Sequence, residues 1–400
     1  MVQKPARNVR IEALRLAAIV AIAVFHTFQP VFAQAMAWMA AGDAAAALAA
    51  ARGGDIGAIM ASCPVASGAQ GFINLLGAYG NCVFFMISGF FLLPGCARAS
   101  RGDGYWGAQL RKAGRRAAVI GISVALYAAL ALAVSYLVTP MPGISVRETA
   151  WLLGGLEFIW VYLAVMVVTP VMGWMWERCP RRGLLVCLII AAVYLVNAYI
   201  AFVSPGEAER GLLEWRKLMS AVSYVAAYAC GGLIGEVRSA AKRPNVSWAA
   251  ALACVCVAVV GLEEVLAFAG ATNAIVALSF KSTSALSLAL AALSLLAAAF
   301  SKRPQHETDA SPRSHALIRG AASGILGFYI LQSMFYTVWR GAIDGLFARI
   351  ATGVAANENL TLAAGMLLGA GVIASLIVIV VLLAFDALTR RPLLKALRLG

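Results

Sequence analysis

The sequence predicts an all-α polytopic membrane protein, a bundle of about ten transmembrane helices with both termini cytoplasmic. Three observations predict it. Of 400 residues, 62% are hydrophobic and 12% charged, about half the charge of a soluble domain and far more apolar mass. Apolar windows of about twenty residues, enough to cross roughly 30 Å of hydrocarbon, recur along the whole chain. Lys and Arg crowd into alternate connections between those windows, as cytoplasmic loops require.

The windows fall at 13–35, 72–93, 117–138, 156–176, 183–203, 218–237, 247–270, 275–300, 317–340 and 361–386. With the first span starting inside, the outer connections carry only Arg52, Arg147, Arg210, Arg216, Lys217, Arg340 and Arg349. Lys281 falls within a span, and every other Lys and Arg of the 32 lies inside. Deleting one span would invert all later connections and erase this asymmetry. The formal charge of +14 follows from the same loops and implies no nucleic-acid partner.

Between the spans the chain shows neither a repeat nor a soluble domain, so residues 1–400 read as one transmembrane domain. The connection 36–71, with AAGDAAAALAAARGGDIG, is expected to form a short helix over the outer face. The connection 94–116 is basic, and 301–316 reads as a flexible polar loop. The eight cysteines have neither a disulfide framework nor zinc spacing. Ala33-Gln34-Ala35 has the look of a leader cleavage box, but Glu12, His26 and Gln29-Pro30 are foreign to a leader.

The first span opens RIEALRLAAIVAIAVFH. Arg15 and His26 are eleven residues apart, which on an α-helix is about 20° past three turns and roughly 16 Å along the axis. They share a face, and Glu12, three residues before Arg15, is placed for an ion pair. Arg15 sits at the inner interface, as a snorkelling anchor would. His26 reaches the midplane or beyond. A polar group so deep is costly unless it faces the bundle interior or a wet cavity. An imidazole there can accept a proton, or can bond across helices for packing alone.

Other polar residues join it. Arg111, Lys112, Arg115 and Arg116 make a basic run before the third span, with Lys112 and Arg115 spaced for one helical face. Ser88-Gly89 in FFMISGFFLL reads equally as a binding turn or as a small pair for close helix packing. Lys281, Ser282, Thr283 and Ser284 form a polar band in the eighth span, able to line a substrate path or to pair with Glu157, Glu263 or Glu264. No metal-ligand cluster, phosphate loop or serine elbow appears.

These motifs together resemble the acyltransferase-3 superfamily of membrane-bound acyltransferases. Its Arg, ten residues and His are matched by Arg15 and His26, with Glu12-Ala13-Leu14-Arg15 similar to its lead-in. Phe84 to Leu93 is similar to its FFxISGFLL, and Lys112 with Arg115 to its basic loop motif. Weaker echoes are FIWVYLAVMVVTP at 158–170 and GILGFYILQSMF at 324–335. Two positions depart: Glu157 stands where the family commonly has Trp, and Gln332 where it has His.

The resemblance implies transfer of an acyl group, foremost acetyl, from cytoplasmic acyl-CoA to a hydroxyl of a cell-surface or lipid-linked carbohydrate. It implies a multi-pass protein of the plasma (inner) membrane with no metal. Its site would place His26 as general base with Arg15 and Glu12. Arg15, Arg111, Lys112, Arg115, Arg116 and Ser88 would hold the acyl-CoA, and Lys281, Glu157 and Gln332 the acceptor. The expectation is that Arg15 and His26 look into one shared passage. A transporter or flippase for a lipid-linked glycan is the alternative; it would show paired repeats and matching broken spans.

Overall fold

The computed structural model describes residues 8–148, 150–203, 212–240, 247–279, 285–300, 312–355 and 359–399. Seventeen α-helices run through them: α1 Val9–Ala41, α2 Ala44–Arg52, α3 Ile56–Ala61, α4 Pro64–Ala99, α5 Tyr105–Leu137, α6 Ala150–Leu153, α7 Glu157–Arg178, α8 Arg182–Ala198, α9 Leu212–Ala240, α10 Trp248–Phe268, α11 Thr272–Leu278, α12 Ala285–Ala299, α13 Pro312–Ala322, α14 Ile325–Met334, α15 Tyr336–Ala355, α16 Leu360–Leu388 and α17 Arg390–Ala396.

Among the described residues, eight helices are long and apolar enough to cross a membrane: α1, α4, α5, α7, α8 with its continuation, α9, α10 and the α16–α17 run. The protein is a polytopic membrane protein. The remaining two expected windows hold shorter apolar helices, α12 and α14. The window 317–340 is divided among α13, α14 and α15 rather than forming one rod. A break in a bundle is tolerated where the freed backbone groups find side chains. At the first break Arg390 Nη2 donates to the Ser323 carbonyl at 3.3 Å, and at the second Trp339 Nε1 donates to the Gln332 carbonyl at 3.0 Å.

The 36–71 connection folds as two short helices rather than one. Asp43 and Asp55 cap them, accepting from Ala46 N at 2.9 Å and Ala58 N at 2.7 Å. Such caps satisfy orphan donors that Ala-rich sequence cannot. Trp38 Nε1 donates to Asp55 at 3.1 Å, tying α3 to the end of α1.

The bundle is organised around α4, which packs on α1, α7, α9, α10 and α12. Contact with α9 is backbone to backbone. A Cβ at Gly89 would meet the Tyr228 carbonyl, one at Gly231 the Met86 carbonyl and one at Gly235 the Phe90 carbonyl. Gly231 and Gly235 thus form the four-residue small-residue spacing that lets two helices approach closely. The Ser88-Gly89 pair lies inside the continuous α4 helix, so the binding-turn reading is corrected: Gly89 packs on α9 while Ser88 faces elsewhere. The cysteines of the described chain are all free.

Candidate active site

A cavity of about 470 Å³ opens between α1, α4, α5, α7 and α14, within the size range of small-molecule sites. Three of these helices, α4, α5 and α7, contribute residues one turn apart. From α4 come Phe84, Ser88, Phe91 and Leu92; from α5 come Lys112, Arg115, Arg116, Val119 and Ile120; from α7 come Tyr162 and Met166. Arg15 of α1 and Leu326 of α14 complete it, with Leu399 beyond α17. The α5 positions step by three and four residues, so a single face presents three cations to the mouth and apolar side chains further in.

Arg15 is fixed by its neighbour. Its Nη1 lies 3.1 Å from both carboxylate oxygens of Glu12, and Glu12 is buried. Glu12 is not among the lining residues; it orients Arg15 rather than facing the cavity. Arg115 Nη2 donates to the Arg398 carbonyl at 3.3 Å, drawing the segment after α17 across the mouth. Ser88 Oγ donates to its own helix at Phe84 O, 3.0 Å, and lies 3.5 Å from the Tyr162 hydroxyl.

The structure therefore brings Arg15, Ser88, Lys112, Arg115 and Arg116 to one cavity. Arg111 does not join them: about 100° round α5 from Lys112, it is exposed and bonds the Gly107 carbonyl of its own helix at 3.1 Å. Lys281 lies outside the described residues. Glu157 begins α7, away from the lining, and is followed by Phe158, which joins an aromatic cluster behind the cavity.

That cluster packs on the cavity wall through Phe84 and Tyr162. Phe84 meets Tyr162 at 5.0 Å and Tyr329 edge-on at 5.4 Å, and Phe158 stacks on Tyr329 at 4.5 Å. Gln332, three residues further along α14, is 3% exposed. His26 is half-buried, with Phe25 at 5.0 Å and Tyr336 edge-on at 6.3 Å between ring centroids. It is not a lining residue of the 470 Å³ cavity. The shared passage expected of Arg15 and His26 is therefore not seen in this cavity: Arg15 lines it and His26 does not.

Arg340, expected on an outer connection, is instead 7% exposed. Its guanidinium donates to the Thr27 carbonyl and pairs with Asp344 at 2.6 Å. No sequence pattern marked it, because a lone Arg just past an apolar window reads as a loop residue. A second charge centre was also missed: Asp386, fully buried, takes Arg390 at 2.6 Å, Arg391 at 3.1 Å and the Tyr127 hydroxyl at 2.9 Å. Its only sequence signal was one acid among the last apolar residues before a basic tail.

A multi-pass bundle with a cation-rimmed cavity among its helices defines the class: a polytopic membrane protein with a concave site open to its surroundings. The acyltransferase 3 model, an acyltransferase domain, matches residues 8–385, and the chain belongs to that family. It is a membrane acyltransferase. No curated protein and no solved structure matches it.

Proposed function

We propose that the protein moves an acyl group, acetyl foremost, from cytoplasmic acyl-CoA to a hydroxyl of a cell-surface or lipid-linked carbohydrate, in the plasma (inner) membrane. The observation that carries this reading is the convergence of Arg15, Lys112, Arg115, Arg116 and Ser88 on one cavity. Coenzyme A is polyanionic at one end and a slender arm at the other. Cations at the mouth suit its phosphates, arginine forks most of all, and the apolar inner wall of Phe84, Ile120, Met166 and Leu326 suits its arm.

His26 is the general base in this reading. A carbohydrate hydroxyl is a weak nucleophile near neutrality, and a placed imidazole that removes its proton during attack contributes about 10² to 10⁴ in rate. Glu12 holds Arg15, and Arg15 with the α5 cations holds the donor. The acyl group and the acceptor would meet at His26.

The test is transfer of label from radiolabelled acetyl-CoA to extracted cell-surface glycan by membranes carrying the protein. Wild type is expected to label the glycan; a glycan that stays unlabelled while crossing the membrane would favour the flippase reading. His26→Ala, purified and monodisperse, is expected to lose at least about 10²-fold in turnover. Transfer at the wild-type rate would remove His26 as base.

A further inference from the structure

We propose that Tyr329 and Gln332 are catalytic hydrogen-bond donors, holding the thioester carbonyl oxygen as it gains negative charge. The assignment rests on the acyl-transfer reading above and adds the groups that stabilise its transition state.

Among the buried donors left unpaired in the described residues, two stand on α14. The Tyr329 hydroxyl and Gln332 Nε2 have no hydrogen-bond partner, on side chains 6% and 3% exposed. Buried polar groups are otherwise almost always paired, because an unmade bond forfeits their hydration. Such orphans also occur singly, on Gln70, Tyr194 and Trp248, and a single one follows from packing alone. Two of them, three residues apart on one helical face, point to an acceptor that arrives from outside the chain.

Their place supplies the chemistry. Tyr329 touches Phe84, which lines the cavity, and Tyr336, four residues past Gln332, touches His26. Along the chain the two donors thus fall between a contact with the cavity wall and a contact with the imidazole, and a thioester reaching in from the mouth past Phe84 would present its carbonyl to them. A carbonyl oxygen has two lone pairs and no proton, so it takes two donors and offers none.

The step balances without any further reagent. His26 takes the hydroxyl proton as the acceptor oxygen bonds to the carbonyl carbon. The carbonyl π pair moves onto its oxygen, held by the Tyr329 O–H and the Gln332 N–H. The pair returns as the C–S bond breaks, and the proton on His26 passes to the departing thiolate. The products are an ester and a free thiol. Donors aimed at such an oxygen act where water is excluded and need no reorganisation.

The experiment measures initial rates of full-length Tyr329→Phe and Gln332→Leu with radiolabelled acetyl-CoA and extracted glycan. Each variant is expected to lose about 10²-fold in kcat, with KM for acetyl-CoA within about twofold of wild type and an unshifted pH profile, because the base is untouched. Gln332→His, which keeps an N–H donor, is expected to recover part of the loss. An unchanged kcat, or a raised KM at wild-type kcat, overturns the assignment. Should Gln332→Leu fail to extract as a monodisperse protein, Tyr329→Phe, which loses a single oxygen, decides alone. An inactive His26→Ala beside fully active Tyr329→Phe and Gln332→Leu sinks the donors and spares the base; a fully active His26→Ala sinks the reading beneath both.

Discussion

Four residues beyond His26 the first helix carries Pro30, which has no N–H to give the His26 carbonyl. The turn around the imidazole is held from other helices instead. Arg340 of α15 donates to the Thr27 carbonyl, and Ser375 Oγ of α16 donates to the Thr27 hydroxyl at 2.8 Å. Arg340 is in this reading a positioning residue. Arg340→Gln is expected to lower kcat at least about tenfold, the size of one lost bond to a charged group, with KM for acyl-CoA unchanged. A rise in KM alone would move Arg340 into donor binding. At the mouth, Arg115→Ala is expected to weaken acyl-CoA binding at least about tenfold, while Arg111→Ala changes it less than about twofold; a titration of bound acyl-CoA separates the two. Wild-type binding is expected to weaken with added salt, since exposed cations are screened beyond about 10 Å at 0.1 M. Here the sequence placed Arg15, Lys112 and Arg115 by helical spacing. It grouped Arg111 with them because adjacency in a chain hides a difference of about 100° around a helix.

At the level of elements, the seam between α4 and α9 and the hub at Asp386 carry the bundle. Gly231→Leu would drive a side chain into the Met86 carbonyl, and is expected to cost about 3 kcal/mol or more, read as a lowered midpoint of thermal unfolding in detergent. Gly261, whose Cβ would meet nothing within 4 Å, is the control: Gly261→Ala is expected to leave the midpoint in place. Asp386→Asn would leave Arg390, 4% exposed, without its counter-charge. A buried pair broken on one side costs about 3 to 5 kcal/mol, and the same melting experiment measures it. These helices were readable as apolar windows. The break of the 317–340 window was not, since it depends on Arg390 and Trp339 reaching carbonyls that only the assembled bundle puts near them.

Across the whole molecule, the charge asymmetry of the connections proposes a cytoplasmic mouth for the cation-rimmed cavity. Ser62, between the first two long helices, and Gly102, between the second and third, are both exposed and fall on opposite sides in that scheme. In a cysteine-free background, a membrane-impermeant maleimide applied to whole cells is expected to label Ser62→Cys. Gly102→Cys should label only after permeabilisation. The reverse pattern would turn the cavity outward and leave cytoplasmic acyl-CoA without access to it.

By itself the sequence determined the helical class, the length and number of the apolar windows, the sidedness they propose and the face shared by Arg15 and His26. All of these follow from periodicity and composition, which act within a stretch of about twenty residues. Only the tertiary structure decided which cations share a cavity, that Arg340 is buried against the His26 turn, and that Tyr329 and Gln332 carry unpaired donors on the helix beside the cavity. Those facts join residues from helices far apart in the chain, and packing of one helix against another fixes them.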